Sequence, residues 1–486
     1  MMFVYYFLLS ILYFWASSTA LSFGVGYYTI YRPVISGLIT GLILGDAQLG
    51  MLAGAVVNII YLNFVSTGGS FKGDQCLTAI IGAAAAILFN ISPIEAAAIA
   101  YPFGFMGVLI WKYRLNINSV FVKKYEKAYD ANTNPDISLY NGFFPQLLLY
   151  VMSTAVIVAA IGILLLLSDF ILKYYVNIKG ILYLTGLLLA FVSVGNILYS
   201  IKNKYNIIIF FIAFSLTFIF NPKSYWFLIF FVIILFLLLN KKIFSNNNKR
   251  NNKNNNINKS DLIYSWFIWM NFSHSCYSYE RLQGLAFAHS MKNIFKKLYS
   301  NKSDISDAIH RHAEFFNTEP NMGTPIHGYI ISLEEQNTSD KNKEISDITY
   351  IKKGMMGIAA GLGDSYTQVV LTPLFISLSV MVCLDHSYLL ALLPMIYLAC
   401  SILFISYTGW IKGYYEGKES LIERINFVKN SKVKLYFAYI FAGITGVSLG
   451  KLILLENEVF YDNIIYVAFI AVISIIYVFA KNKRSL

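Results

Sequence analysis

Long apolar runs separated by short polar breaks fill most of this chain, and one break differs from all the others. In the first half the candidate spans are Phe3–Leu21, Val34–Val65, Leu77–Trp111, Phe144–Leu167, Ile178–Leu198, Ile207–Phe220 and Tyr225–Leu239. In the second half apolar stretches fall at Leu374–Cys383, Leu389–Trp410, Leu435–Leu455 and Ile464–Ala480. Between the two sets lies Lys241–Ser260, KKIFSNNNKRNNKNNNINKS. It carries too few apolar groups to offset the entropy of ordering it, which predicts a linker between two membrane units. Crossing a bilayer takes roughly 20 apolar residues. The pattern therefore predicts an all-α polytopic membrane protein in two packed halves, residues 1–240 and 261–486, joined by a strap at 241–260.

Several runs are poor simple spans. Val34–Val65 is too long for one crossing and is broken by Gly37, Gly41, Gly45, Gly50 and Gly54; Leu77–Trp111 is interrupted by Pro93, Pro102 and Gly104. Such segments predict broken or re-entrant helices lining a wet path. Residues 261–352 have a different rhythm. Tyr264–Asn271 and the spacing of Leu282, Leu285, Ala286 and Met291 predict an amphipathic helix, and Ile305, Ala308, Ile309, His312 and Phe315 or Phe316 share one face of another that Pro320 ends. This segment reads as cytosolic, and 353–486 as membrane helices. The apolar Met1–Leu21 lacks a basic leader and reads as a retained first helix.

Composition narrows the function. Hydrophobic residues make up 57% and charged residues 13%, which excludes a soluble globular chain. The net charge of +12 sits in loops and strap. It follows the positive-inside bias, puts the strap in the cytoplasm, and gives no reason to invoke nucleic acid. Four scattered cysteines and histidines without ligand spacing indicate neither disulfide framework, metal nor cofactor.

Polar residues within the apolar runs are the candidate site. Asp46, Asn58, Lys72 and Asp74 sit in or beside the first interrupted runs. An ionisable group at membrane depth is costly and marks function by default, although Asp46 in GDAQLG could equally cap a helix. Amides, hydroxyls and carboxylates of this kind suit a sugar. Asp364, between Gly363 and the polar run Ser365-Tyr366-Thr367-Gln368, reads either as an N-cap or as a broken-helix tip at a midplane site.

The run YRPVISGLITGLILGDAQLGMLAGAVVNIIYLNFVSTGGSFKGD resembles the opening of enzyme IIC of the mannose–fructose–sorbose class of the phosphotransferase system (PTS). In the second half, Tyr279-Glu280-Arg281, Glu314-Phe315-Phe316-Asn317-Thr318, Thr324-Pro325, Gly361-Leu362-Gly363-Asp364 and Thr372-Pro373 follow one another in an order similar to enzyme IID of the same class. The family's Glu or Gln is Asn58 here, and Ser365, Gln368 and Thr372 also depart from the mannose-type pattern. The resemblance implies a fused permease of the bacterial cytoplasmic (inner) membrane. It implies that the halves pack together, form a homotrimer and carry a hexose or amino sugar through the lipid bilayer. A phosphorylated IIB protein would phosphorylate that sugar, the chain having no phosphoryl-transfer residues of its own. The residues expected to hold sugar are Asp46, Asn58, Lys72, Asp74, Glu280, Asn317, Asp364 and Gln368. His310 and His312 read as structural. Glu280 and Arg281 are expected to point apart, one toward the partner half and one toward substrate or a phosphate-bearing partner. Broken helices bearing acidic groups also fit an ion-coupled secondary sugar transporter, and a permease retained as receptor or regulator is a third reading.

Overall fold

The structure, a computed structural model, describes residues 2–62, 73–200, 204–221, 223, 257–339, 345–429, 431–455 and 466–467. The apolar run Tyr225–Leu239, residues 241–256 of the strap and Lys72 lie outside the described residues. Among those described the chain is helical, with two isolated β-bridges, Ser278–Leu282 and Leu282–Phe316.

The first half begins with α1 (Met2–Ser17) and two helical hairpins. In the first, α2 (Pro33–Leu44) ends at Gly45, whose φ of +99° turns the chain, and Asp46 caps α3 (Ala47–Ile60) by accepting from the Leu49 amide. Twelve residues rise about 18 Å, well short of a bilayer core, and the chain folds back at Gly45, so the interrupted run is a pair of short helices rather than one span. They lie backbone to backbone. A Cβ on Gly37 would stand 2.4 Å from the Gly50 carbonyl oxygen, and one on Gly50 2.5 Å from that of Gly37. Gly50→Val is expected to lower the thermal midpoint of the detergent-purified protein, a loss of about 1–3 kcal/mol. Gly162→Ala, where a Cβ meets open space inside a helix, should leave it unchanged or slightly raised.

The second hairpin joins α4 (Gln75–Phe89) to α5 (Pro93–Ala100). Asn90 adopts a left-handed conformation after α4, while Ser92 and Glu95 form a capping box around Pro93 in the first turn of α5. A 3-10 turn over Tyr101–Phe103 leads into α6 (Gly104–Asp130), followed by α7 (Phe144–Leu166), α8 (Ser168–Ser200) and α9 (Lys204–Phe220).

The second half opens with α10 (Lys259–Phe272), α11 (Gly284–Leu298), α12 (Lys302–His312) and α13 (Thr324–Ser339). The last strap residues are thus folded: Ile257 is buried and Asn258 caps α10. α12 ends at His312 rather than running on to Pro320, because residues 313–323 turn inward instead, carrying Phe316 into the core and leaving Phe315 at the surface. α14 (Ile345–Gly363) passes through a π-helical stretch, Asp364–Leu371, into α15 (Thr372–Cys383). α16 (Tyr388–Glu416), α17 (Lys418–Lys429) and α18 (Ser431–Leu454) complete the described chain. Among the described residues six helical stretches are long and apolar enough to span a membrane: Pro93–Asp130, Leu139–Leu166, Ser168–Leu198, Ile348–Cys383, Tyr388–Glu416 and Leu435–Leu454.

The halves share a core. Val34, Met51 and Val56 of the first half pack in one cluster with Leu374, Phe375 and Met381 of the second. α6 adds a polar seam. Arg114 donates to the carbonyls of His274 and Ser275 at 2.8 and 2.9 Å, and Asn118 to that of Tyr277 at 2.8 Å. Lys123 pairs with Glu280 at 3.2 Å and Glu126 with Arg281. Glu280 and Arg281 therefore do not point to different partners: they lie in a turn, not a helix, and both engage α6.

Candidate functional site

The polar groups of the interface converge on a cavity of about 160 Å³ where the halves meet. Tyr27, Tyr28, Tyr31, Trp111 and Arg114 face it from the first half, and Tyr277, Asn317, Glu319, Asn321, Asp364 and Gln368 from the second. Its floor is Glu319, buried at 4% exposure. One carboxylate oxygen accepts from the Tyr28 hydroxyl at 3.0 Å and from the Asn321 side-chain amide at 2.8 Å. The other accepts from the backbone amides of Asn321 and Met322 at 3.1 and 2.6 Å. Gln368 donates to the same Tyr28 hydroxyl at 3.1 Å, so one tyrosine ties the π-helical stretch to the floor. Tyr277 donates to Asn317 Oδ1 at 3.1 Å.

Asp364 is neither an N-cap nor the tip of a broken helix. The helix stays continuous and widens there, and such π-turns are frequent at functional sites. Just before the widening, Gly363 lies against the Glu319 side chain, and a Cβ there would meet that chain at 2.2 Å. Asp364 and Gln368 both face the cavity.

Several lining groups lack a protein partner. Thr318 Oγ1, Asn321 Oδ1 and Arg114 Nε are buried and make no hydrogen bond among the described residues. A buried donor or acceptor left unmade costs about 1–3 kcal/mol, so the wall is prepared for a ligand rich in both. The rings of Tyr27, Tyr31, Trp111 and Tyr277 give it the apolar faces that a small polyhydroxyl molecule also presents.

The structure brings Asn317, Asp364 and Gln368 together and places Asn58 behind Gln368, in a crevice that Gln368 also lines. Asn58 Oδ1 accepts from the Val34 amide at 2.9 Å. Asp46 is an exposed helix cap outside the cavity. Asp74 is fully buried as the N-cap of α4, accepting from Leu77 N and from the Tyr13 hydroxyl at 2.7 Å. Glu280 sits on the exposed α6 seam, and Lys72 lies outside the described residues. Sequence reading passed over Tyr28, Arg114, Glu319 and Asn321. Arg114 carried a usable signal, an ionisable group just beyond an apolar run; Tyr28 carried none.

A second polar cluster lies in the layer formed by α11 to α13. Glu334 is buried and accepts from Tyr299 at 2.6 Å, from Arg311 at 2.9 and 3.1 Å, and from His312 Nε2 at 2.7 Å. His310 stacks on Tyr129 of α6 at 3.8 Å. Among the described residues no group of three His, Cys, Asp or Glu side chains is placed to hold a metal ion.

These features define a two-part helical membrane protein with a polar cavity where its halves meet. Family models match both parts: the PTS sorbose-specific IIC component over residues 3–247, half of the chain, and the PTS mannose/fructose/sorbose family IID component over residues 256–447. The chain belongs to this family of phosphotransferase-system permease components and joins a IIC and a IID component in one polypeptide. It is similar to a sorbose-specific EIID component of Lacticaseibacillus casei, 35% identical over 27% of this chain and 47% of that one. It is also similar to a sorbose-specific EIIC component of Klebsiella pneumoniae, 31% identical over 21% of this chain and 38% of that one. A cryo-EM structure of the mannose transporter ManYZ with microcin E492 aligns at 30% identity and a TM-score of 0.32, covering 37% of this chain and 68% of that one. The chain spans about half the length of the curated EIID relatives it matches.

Proposed function

We propose that this protein is the sugar-translocating permease of a phosphoenolpyruvate-dependent phosphotransferase system, taking up a hexose or amino sugar that a phosphorylated IIB protein phosphorylates. The observation that carries this reading is the interface cavity, where Asn317, Asp364 and Gln368 stand among aromatic rings and unpartnered polar atoms. Sugar hydroxyls need paired donors and acceptors rather than a charge clamp, and this wall supplies both. Binding between the two halves also suits transport, since relative motion of packed bodies can open a shared site to alternate sides. The reading places the protein in the bacterial cytoplasmic membrane as a homotrimer, with residues 1–240 as the IIC-like unit, 241–260 as the tether and 261–486 as the IID-like unit. Asn58, Asn317, Asp364 and Gln368 are assigned to sugar contact. Asp46, Asp74 and Glu280 are assigned to the frame that holds the site.

Membrane vesicles carrying the chain test this with labelled fructose, mannose, glucosamine and N-acetylgalactosamine, with and without phosphorylated IIB. The expected result is sugar phosphate accumulating only with phospho-IIB, reduced at least tenfold by Asp364→Ala. Uptake of unmodified sugar driven by an ion gradient and indifferent to IIB would overturn the proposal.

A further inference from the structure

Arg424 of α17 is not among the residues that face the cavity, yet it holds the cavity floor from behind. Its Nη1 donates to the carbonyls of Asn321 and Met322 at 3.1 and 3.0 Å, and its Nη2 donates to the Ile405 carbonyl on α16. α16 is shaped to admit it: a Cβ on Gly409 would stand 2.1 Å from Nη2. No carboxylate forms an ion pair with Arg424 among the described residues. A cation drawn out of water needs compensation, and here three backbone carbonyls supply it.

Two of those carbonyls belong to the segment that Glu319 holds from the other side. One Glu319 carboxylate oxygen accepts from the amides of Asn321 and Met322 at 3.1 and 2.6 Å. The Asn321 carbonyl and the Met322 amide are the two ends of a single peptide group. Arg424 donates to its oxygen while its N–H donates to Glu319, so a cation and an anion bracket one peptide plane. Both charges align with the peptide dipole, and hydrogen bonds in such a chain polarise and strengthen one another away from water. Thr324 also donates to the Asn321 carbonyl, at 2.9 Å. The bracketed segment leads straight to the cavity. The Asn321 side-chain amide donates to Glu319 at 2.8 Å and to the Tyr28 hydroxyl at 3.1 Å, and Gln368 donates to that same hydroxyl.

We propose that Arg424 is a positioning residue of the sugar site: through the Asn321–Met322 peptide it fixes the Glu319 carboxylate, and through Glu319 it sets Tyr28 and Gln368. The proposal rests on the sugar-permease reading for its ligand, and on the bracketed peptide for its geometry. Arg424 itself touches no sugar. A guanidinium suits this task because its donors lie in one rigid plane and reach several carbonyls at once, whereas a lysine ammonium is a point charge without that fork.

The test is a double-mutant cycle on the full-length protein in nanodiscs, with binding of the four sugars named above read by calorimetry. Arg424→Gln is expected to weaken sugar binding about tenfold, and Arg424→Lys about threefold. Glu319→Gln weakens binding by itself. Adding Arg424→Gln to it should cost less than about twofold more, because the anion that Arg424 positions is then gone. A merely structural arginine would cost the same factor in either background. Tyr28→Phe, a milder break in the same chain of bonds, replaces Glu319→Gln in the cycle if the latter binds too weakly to read. Equal losses in the two backgrounds, or sugar bound by Arg424→Gln as tightly as by the wild type, overturn the proposal and leave the permease reading standing. If the wild type binds none of the four sugars, the permease reading fails and the role given to Arg424 falls with it. Should Arg424→Gln not purify as a folded protein, Arg424→Lys runs the same cycle, and either no loss or equal losses then overturn the proposal.

Discussion

Glu334→Ala is expected to lower the stability of the purified protein by about 3–5 kcal/mol, read as the thermal midpoint from tryptophan fluorescence. The carboxylate is wholly buried and receives hydrogen bonds from Tyr299, Arg311 and His312. Removing it leaves the Arg311 charge uncompensated in a layer whose other walls are Phe287 and Phe295, both stacked on His312. Breaking one side of a buried pair costs far more than a surface salt bridge is worth. Glu334→Gln keeps the shape and part of the bonding, and should lose less. The same cluster sets a pH dependence. Burial pushes the His312 imidazole down to about 4. Between there and the roughly 6.5 of an exposed histidine, the unfolded chain takes up a proton that the folded chain refuses, so stability falls as the pH drops through that window. Burial alone would raise Glu334, but the bonds from His312, Arg311 and Tyr299 outweigh it and hold the carboxyl down to about 2. Its contribution is complete above about 4.3 and is lost as the pH falls toward 2. Both effects run the same way, so the thermal midpoint should fall continuously from pH 7 to pH 4.

Glu319→Ala is expected to reduce phospho-IIB-dependent sugar uptake by a factor of about 100 or more. This carboxylate accepts four hydrogen bonds, two from backbone amides and two from Tyr28 and Asn321. Hydrogen bonds to a charged group contribute about 1.5–3 kcal/mol each, and losing two that shape the cavity floor is worth two powers of ten or more. Without Glu319, Tyr28 loses the acceptor that fixes its hydroxyl, and Gln368 loses its positioned partner with it. Tyr28→Phe separates this effect from unfolding. It removes one hydroxyl, should lower uptake about tenfold, and should leave the thermal midpoint nearly unchanged. Full uptake by Glu319→Ala would show that the floor of this cavity does not hold sugar.

Much of the fold was legible because its signals are local. Gly45-Asp46 reads as a turn followed by a cap, and a left-handed glycine and a capping aspartate stand there. The interruptions at Pro93, Pro102 and Gly104 fall where α5 begins, where a 3-10 turn runs and where α6 begins. Other features depended on neighbours. Pro320 looked like the end of a helix, yet α12 stops eight residues earlier so that the Asn317–Asn321 stretch can reach the interface. Asp364 read as an N-cap or as the tip of a broken helix, yet the helix runs on through it and widens into π-turns, with Gly363 lying against Glu319.

The sequence alone therefore determined that this is a helical membrane protein in two halves, where its runs break, and which half supplies which motif. Those properties follow from the length and period of apolar residues and from the backbone preferences of Gly, Pro, Asn and Asp, all of them short-range. Only the tertiary structure decided which polar groups meet. Tyr28 and Glu319 are 291 residues apart in sequence and share one hydrogen bond. Arg114 reaches across 160 residues to the His274 carbonyl. Hydrophobic periodicity says which face of a helix is buried but not against what. The cavity exists because two apolar bodies pack around the few polar side chains that neither could bury alone.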